Sequence, residues 1–316
     1  MNTPELRKRL EEGGAALFDL GNRLKFRLTG SDRVRYLNGQ VSQNVQRIAS
    51  SRDGAAHPGC VMNAKGKMNA LVWISADADA LYLDAEASTE EYHEELAMRL
   101  ERYIISDDAE LTDCTGELGL WHLFWGQTGR PEWLAAWLET LPPEIRLLKA
   151  TRYGREGLDL CGPRALVEGL NPAPEMVRVS EATEEVFRIE QGVPRWGAEL
   201  TEATLPDEAG LAESAIDYHK GCYIGQEVIS RIKSVGRVNR HLVGFVSDRQ
   251  LEPGAKLHLS PESVAAGERE VATITSSAWS FTLDKGVALG YLRRGTERSH
   301  LFHGPERVEV RTLPFV

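Results

Sequence analysis

Apolar and polar residues alternate strictly over Leu24-Lys25-Phe26-Arg27-Leu28, the period of a half-buried strand. Thr29-Gly30-Ser31 breaks that strand, and Ser31 is placed to cap a helix opening at Asp32, with Val34, Leu37 and Val41 on one face. The stretch VMNAKGKMNALVWI (61–74) predicts two strands joined by a turn at Lys65-Gly66. Tyr92, Leu96, Leu100 and Tyr103 recur at helical spacing within 89–104. A shorter helix is expected over 131–141, stopped by Pro142-Pro143. Ser180, followed by Glu181, Glu184 and Glu185, opens another helix that Gly192 and Pro194 close. Past residue 240 the texture changes to short alternating runs (Leu242–Val246, Val271–Thr275, Val287–Tyr291, Val308–Val310) split by Gly, Pro, Ser and Glu. That pattern predicts a small antiparallel barrel or sandwich of about 75 residues. The chain is therefore divided at 1–238 and 239–316.

Composition narrows the function classes. The 316 residues, 42% apolar and 27% charged, suit a globular protein with a sizeable core. A formal charge of -10 repels a phosphate backbone, so direct nucleic-acid binding is not expected. The longest strictly apolar run, Ala70 to Ile74, is far short of a membrane span, and the opening MNTPELRKRLEEGG has no apolar segment of the kind a secretory signal needs. A cytoplasmic protein follows, with a monomer as the default. Cys60, Cys114, Cys161 and Cys222 share no metal-type spacing, and a reducing compartment disfavours disulfides. Walker A, GxGxxG and HExxH motifs are absent.

Three segments carry chemistry. In Tyr218-His219-Lys220-Gly221-Cys222-Tyr223-Ile224-Gly225-Gln226-Glu227, a cysteine sits between two glycines, ahead of a helix expected to begin near Gly225–Gln226. Lys220, a protonated His219 and that helix start would all favour thiolate over thiol. A thiolate there can act as nucleophile, redox sensor or metal ligand; a small inert residue in a tight turn is the plainer alternative. In RIEQGVPRWGAEL (188–200), Glu190 beside Gly192 and Trp196 could grip a planar heterocycle, the carboxylate accepting two N–H donors while the ring covers a face. A solvated glutamate paired to Arg188 or Arg195 is the alternative. Arg231, Lys233, Arg237 and Arg240 place four cations in ten residues, suited to an anionic tail or to a solvated strand face.

KGCYIGQE, preceded by RIEQGVPRWGAEL and PDEAGL (206–211), resembles the YgfZ family of folate-binding proteins, relatives of the glycine cleavage T-protein (aminomethyltransferase) that act in iron–sulfur cluster assembly or repair. GSDRVRYLNGQVSQNV (30–45), NAKGKM (63–68) and GVALGYL (286–292) extend the resemblance over nearly the whole chain. It implies an α+β, GcvT-like fold, ring-like around a central channel that holds tetrahydrofolate, with a C-terminal six-stranded antiparallel β-barrel. By the same resemblance Glu190 matches the glutamate that holds the pterin. Lys220, Cys222, Tyr223, Gly225, Gln226 and Glu227 match the signature of the assembly factors, and Arg231 is a candidate for the folate glutamate tail. Cys222 would serve at the channel mouth as a redox group or a transient iron–sulfur ligand.

T-proteins carry an aspartate pair just after the Gly-rich turn, one of them central to aminomethyl transfer. Here Asn69, Ala70 and Leu71 follow Lys65-Gly66-Lys67-Met68, so glycine-cleavage turnover is not expected. The resemblance thus implies a tetrahydrofolate-binding accessory protein for iron–sulfur enzymes, supporting tRNA modification indirectly. One thiol cannot hold a cluster, so a scaffold, a client protein or a small thiol would complete the coordination. Two alternatives stand beside it: a folate-dependent aminomethyltransferase or N-demethylase, with Asp217 and His219 as nearest acid or base, and a partner-binding module that has lost folate.

Overall fold

A computed structural model describes residues 2–51, 53–126 and 129–315. Three sheets account for most of it. The first is antiparallel, in the order β3 (His57–Met62), β4 (Met68–Ala76), β5 (Leu81–Ala85), β2 (Leu24–Thr29), β6 (Glu110–Asp113). Helices α2 (Arg33–Gln40), α3 (Val45–Ser51) and α4 (Glu90–Glu101) share its core, in which Phe26, Leu37, Val72, Ile74 and Leu96 are buried. The turn at Lys65-Gly66 lies between β3 and β4 as its sequence predicts. Ser31 differs from expectation. It does not cap α2; its hydroxyl and amide both donate to Asp108. Thr89 caps α4 by accepting from the Tyr92 amide.

The second sheet runs β10 (Met176–Arg178), β1 (Ala15–Asp19), β7 (Leu118–Trp125), β9 (Gly157–Pro163), β8 (Arg146–Ala150). Only β10 and β1 pair in parallel. Both faces are covered: α1 (Thr3–Glu11) and α7 (Glu181–Glu190) lie over Phe18 and Phe124, while α5 (Glu132–Leu138) and α6 (Arg164–Glu168) lie over Trp121 and Leu160. The two sheets meet where Gly54 to Ala56 hydrogen-bonds with Lys149 of β8, and where Arg152 is gripped by Asp84 of β5 and Asp159 of β9.

The third sheet orders as β12 (Lys256–Leu257), β13 (Ala272–Ser280), β14 (Lys285–Arg293), β11 (Arg240–Ser247), β16 (Glu306–Arg311), β15 (His300–His303). Reciprocal backbone bonds between His258 and Phe302 bring its two edges together, so this is a nearly closed six-stranded antiparallel barrel around Phe245, Ile274 and Leu301. Helix α9 (Pro261–Ala265) lies in its connections. The barrel is locked to the rest through Glu199, which is fully buried and accepts from Arg188, Thr275 and Ser276. Among the described residues no helix is long and apolar enough to cross a membrane.

Candidate functional site

A cavity of about 1230 Å³ opens where the three sheets converge. The first sheet contributes Leu71 and Trp73 of β4 together with Glu86, and the second contributes Arg152, Tyr153 and Gly154. Helix α7 presents Glu181, Glu184, Glu185 and Arg188, a 3- and 4-residue spacing that puts all four on one helix face. Trp196 closes another side, its ring stacked on Tyr92 at 5.0 Å and its backbone amide donating to Glu86. Gln191, at the end of α7, keeps a buried side-chain nitrogen with no partner. A volume above the roughly 300–1000 Å³ of typical ligand clefts leaves room for an extended ligand and water.

Most charges around the cavity are already paired. Arg188 forks onto Glu185 and also reaches Glu199 and Ser276; Arg195 meets Glu185 at 2.8 Å. Arg23 pairs with Asp84, and Arg152 lies 4.8 Å over the Trp73 ring. Burial pushes the Asp159 carboxyl upward, but Arg152 and His122 outweigh it and hold it at about 2. Glu184 is different: burial raises its pKa, and the Tyr153 hydroxyl donates to it.

Glu190 is placed elsewhere. It is 0% exposed and absent from the cavity lining, and its carboxylate accepts from Arg7 at 2.8 Å, Ser280 at 2.6 Å and Thr3 at 3.3 Å. Six residues after Glu184, it lies on the α7 face turned toward α1 and the barrel, where those three donors already satisfy its carboxylate. The α7 glutamates that line the cavity are Glu181, Glu184 and Glu185. Their spacing with Arg188 on one helix face was the signal that could have found them.

The signature segment forms a second, separate feature. Lys220 is buried and its ammonium donates to the carbonyls of Asn38, Val41 and Gln43 at 2.6–2.7 Å, an α2 terminus and the turn after it. The expectation that Lys220 tunes the Cys222 thiol is therefore corrected: its three N–H bonds point into the fold. Tyr223 is buried 5.0 Å from that ammonium and packs with Met62, Met68, Leu211 and Ile229. The same cluster touches Leu71 and Trp196, so the signature loop backs onto the cavity wall without entering it. Gly225, at φ +88°, begins α8 (Gln226–Ser234); a Cβ there would lie 2.8 Å from the Asn63 carbonyl. Gly66 lies against Val228 in the same way. Thus NAKGKM and KGCYIGQE, conspicuous separately in the sequence, interlock through their glycines.

Cys222 is exposed, whereas Cys60, Cys114 and Cys161 are buried. Gln226 is half-buried, and Glu227 and Arg231 are exposed on α8; none of these, nor Cys222, lines the cavity. Arg240 is held by Glu208 and by the Tyr291 ring. Asp217 and His219 line a smaller cavity of about 310 Å³ with Arg47, Asp53, His57 and Tyr218. Gln43 separates the two cavities: it lines the smaller one, and its amide donates to the carbonyls of Pro58 and Ser214, which line the larger. Among the described residues no group of three or more His, Cys, Asp or Glu side chains could hold a metal, so a resident cluster does not fit this chain alone.

Residues 240–313 match the glycine cleavage T-protein C-terminal barrel domain. Chicken mitochondrial aminomethyltransferase is 26% identical over 310 residues, covering 90% of this chain and 75% of that protein. An iron-sulfur cluster assembly factor IBA57 homolog, mitochondrial, from Pyricularia oryzae is 25% identical over 262 residues, covering 79% of this chain and 62% of that one. Among solved structures, the glycine cleavage system aminomethyltransferase T from Bartonella henselae superposes with a TM-score of 0.78 at 20% identity, over 98% of this chain and 89% of its own. The chain has the GcvT-like aminomethyltransferase fold, C-terminal barrel included.

Proposed function

We propose that the protein binds tetrahydrofolate in the large cavity and serves the assembly or repair of iron–sulfur enzymes through Cys222. The observation that carries this reading is a separation. A ligand-sized cavity is lined on its β4 side by apolar Leu71 and Trp73, and the exposed Cys222 stands on a loop packed behind the cavity wall. The relatives support both halves, being named as aminomethyltransferases and as an iron–sulfur assembly factor. The pterin would lie against Trp196 with its N–H donors toward Glu184, and Gln191 would supply the unpaired amide. A cluster would be cargo, met by the Cys222 thiolate with a partner protein completing its coordination. Support of tRNA modification would follow through the client enzymes.

The test is calorimetric titration with tetrahydrofolate. Glu184→Gln and Trp196→Ala are expected to weaken binding at least tenfold, with Cys222→Ser unchanged. Absence of binding by the unaltered protein to any reduced folate overturns the reading. A second reading, folate-dependent amine transfer or N-demethylation, draws on Glu184 itself, a half-buried carboxyl with a raised pKa beside Tyr153. Turnover of simple N-methyl amines, abolished by Glu184→Gln, would establish it. Asp217 and His219 are on the far side of Gln43 and would play no part.

A further inference from the structure

The chain's last described residues form part of the cavity. Strand β16 ends at Arg311, paired opposite Gly244 of β11. The chain then leaves the barrel, and Thr312, Leu313 and Pro314 line the cavity before the Phe315 amide donates to the Glu190 carbonyl at the end of α7. Two glycines make the track. A Cβ at Gly244 would fall 2.6 Å from the Phe315 ring and 3.1 Å from Leu313. One at Gly192, φ +72°, would fall 2.7 Å from the Leu313 Cβ. Leu313 and Phe315 pack with Val186 and Ile189 of α7 and with Leu242, Val246 and Leu289 of the barrel. The segment is therefore laid across the seam between barrel and α7.

We propose that residues 312–315 are a clasp that sets how long a ligand stays in the cavity. Its inner edge supplies apolar wall from Leu313 and Pro314, and its far end is fastened to α7 by a backbone bond from Phe315 together with that side chain's packing. Helix α7 also presents Glu184 to the cavity, so lifting the clasp uncovers the helix that touches the ligand. A few residues held chiefly by apolar contacts can open without unfolding the barrel. The binding arm of the test rests on the folate reading above; the exchange arm does not.

The experiment compares the unaltered protein with a chain stopped after Arg311 and with Gly244→Val, whose side chain would collide with Phe315. Circular dichroism checks that each is folded. Stopped-flow displacement of tetrahydrofolate is expected to show dissociation at least tenfold faster in both, with Gly244→Val adding nothing in the shortened chain. Hydrogen exchange without ligand is expected to quicken over 186–197 and 240–244. If dissociation and exchange are both unchanged in the shortened chain, the clasp is refuted. If the unaltered protein binds no folate, that reading falls, and the exchange data alone decide the clasp: unchanged exchange refutes it. If the shortened chain does not fold, Gly244→Val decides on the same two readouts.

Discussion

Two glycines of one motif should respond very unequally to the same substitution. Gly225 has φ +88°, and a Cβ there would stand 2.8 Å from the Asn63 carbonyl and 3.2 Å from the Gly66 Cα, both of them backbone. An alanine would bear about 1–2 kcal/mol for the left-handed conformation and typically about 1–3 kcal/mol for forcing two backbone segments apart. Together that is about 2–5 kcal/mol, against a total stability of about 5–15 kcal/mol for a typical protein. Gly221, four residues earlier, has no atom within 4 Å of a Cβ and no positive φ, so Gly221→Ala should change stability by no more than about 0.5 kcal/mol. Urea unfolding of the two variants measures the contrast. Hydrogen exchange should place the Gly225→Ala damage at residues 63–67 and α8, since those are the segments that the Cβ would separate. Equal effects of the two substitutions, or a Gly225→Ala cost under about 0.5 kcal/mol, would show that the interlock of the two turns is not what holds the signature loop.

Alkylation of the native protein should modify Cys222 alone, with Cys60, Cys114 and Cys161 reacting only after denaturation; mass spectrometry of digested peptides reads this. Lys220→Met leaves two buried carbonyls and a partly buried one without their ammonium and should cost about 2–5 kcal/mol in denaturant unfolding. Arg152→Met leaves the fully buried Asp159 with His122 alone and half-buried Asp84 with Arg23, and should cost about 3 kcal/mol by the same assay. Glu184 has a raised pKa in the folded protein, so the folded state binds its proton more tightly than the unfolded chain does. Its contribution is present below pH 4.5 and is lost as pH rises through the raised value. Glu184→Gln should therefore gain stability over the unaltered protein on going from pH 4 to 7, and melts at both values test the sign.

How far the sequence could be read depended on what each residue's surroundings owed to distant chain. β2 was legible because one of its faces is polar and the alternation survives; β7 and β9 are covered on both faces by helices, so their burial runs nearly unbroken and no period of two marks them. The cap at Ser180 was legible because it is local, its hydroxyl accepting from the amide three residues on. The choice between Glu184 and Glu190 was not. Both are glutamates of one helix, and what removes Glu190 from the cavity is Arg7, a residue 183 positions away that arrives with α1. Lys220 misled for the same reason: two residues from Cys222 in sequence, it is bonded to carbonyls from 38–43 brought there by the fold. Gly225 of KGCYIGQE, by contrast, carries its constraint openly: its positive φ and its close approach to the Asn63 carbonyl both ask for glycine, whereas Gly221 meets nothing. Lys220 fastens this segment to the carbonyls of Asn38, Val41 and Gln43, Gly225 packs it on Asn63 and Gly66, and Cys222 is a side chain that it presents to solvent.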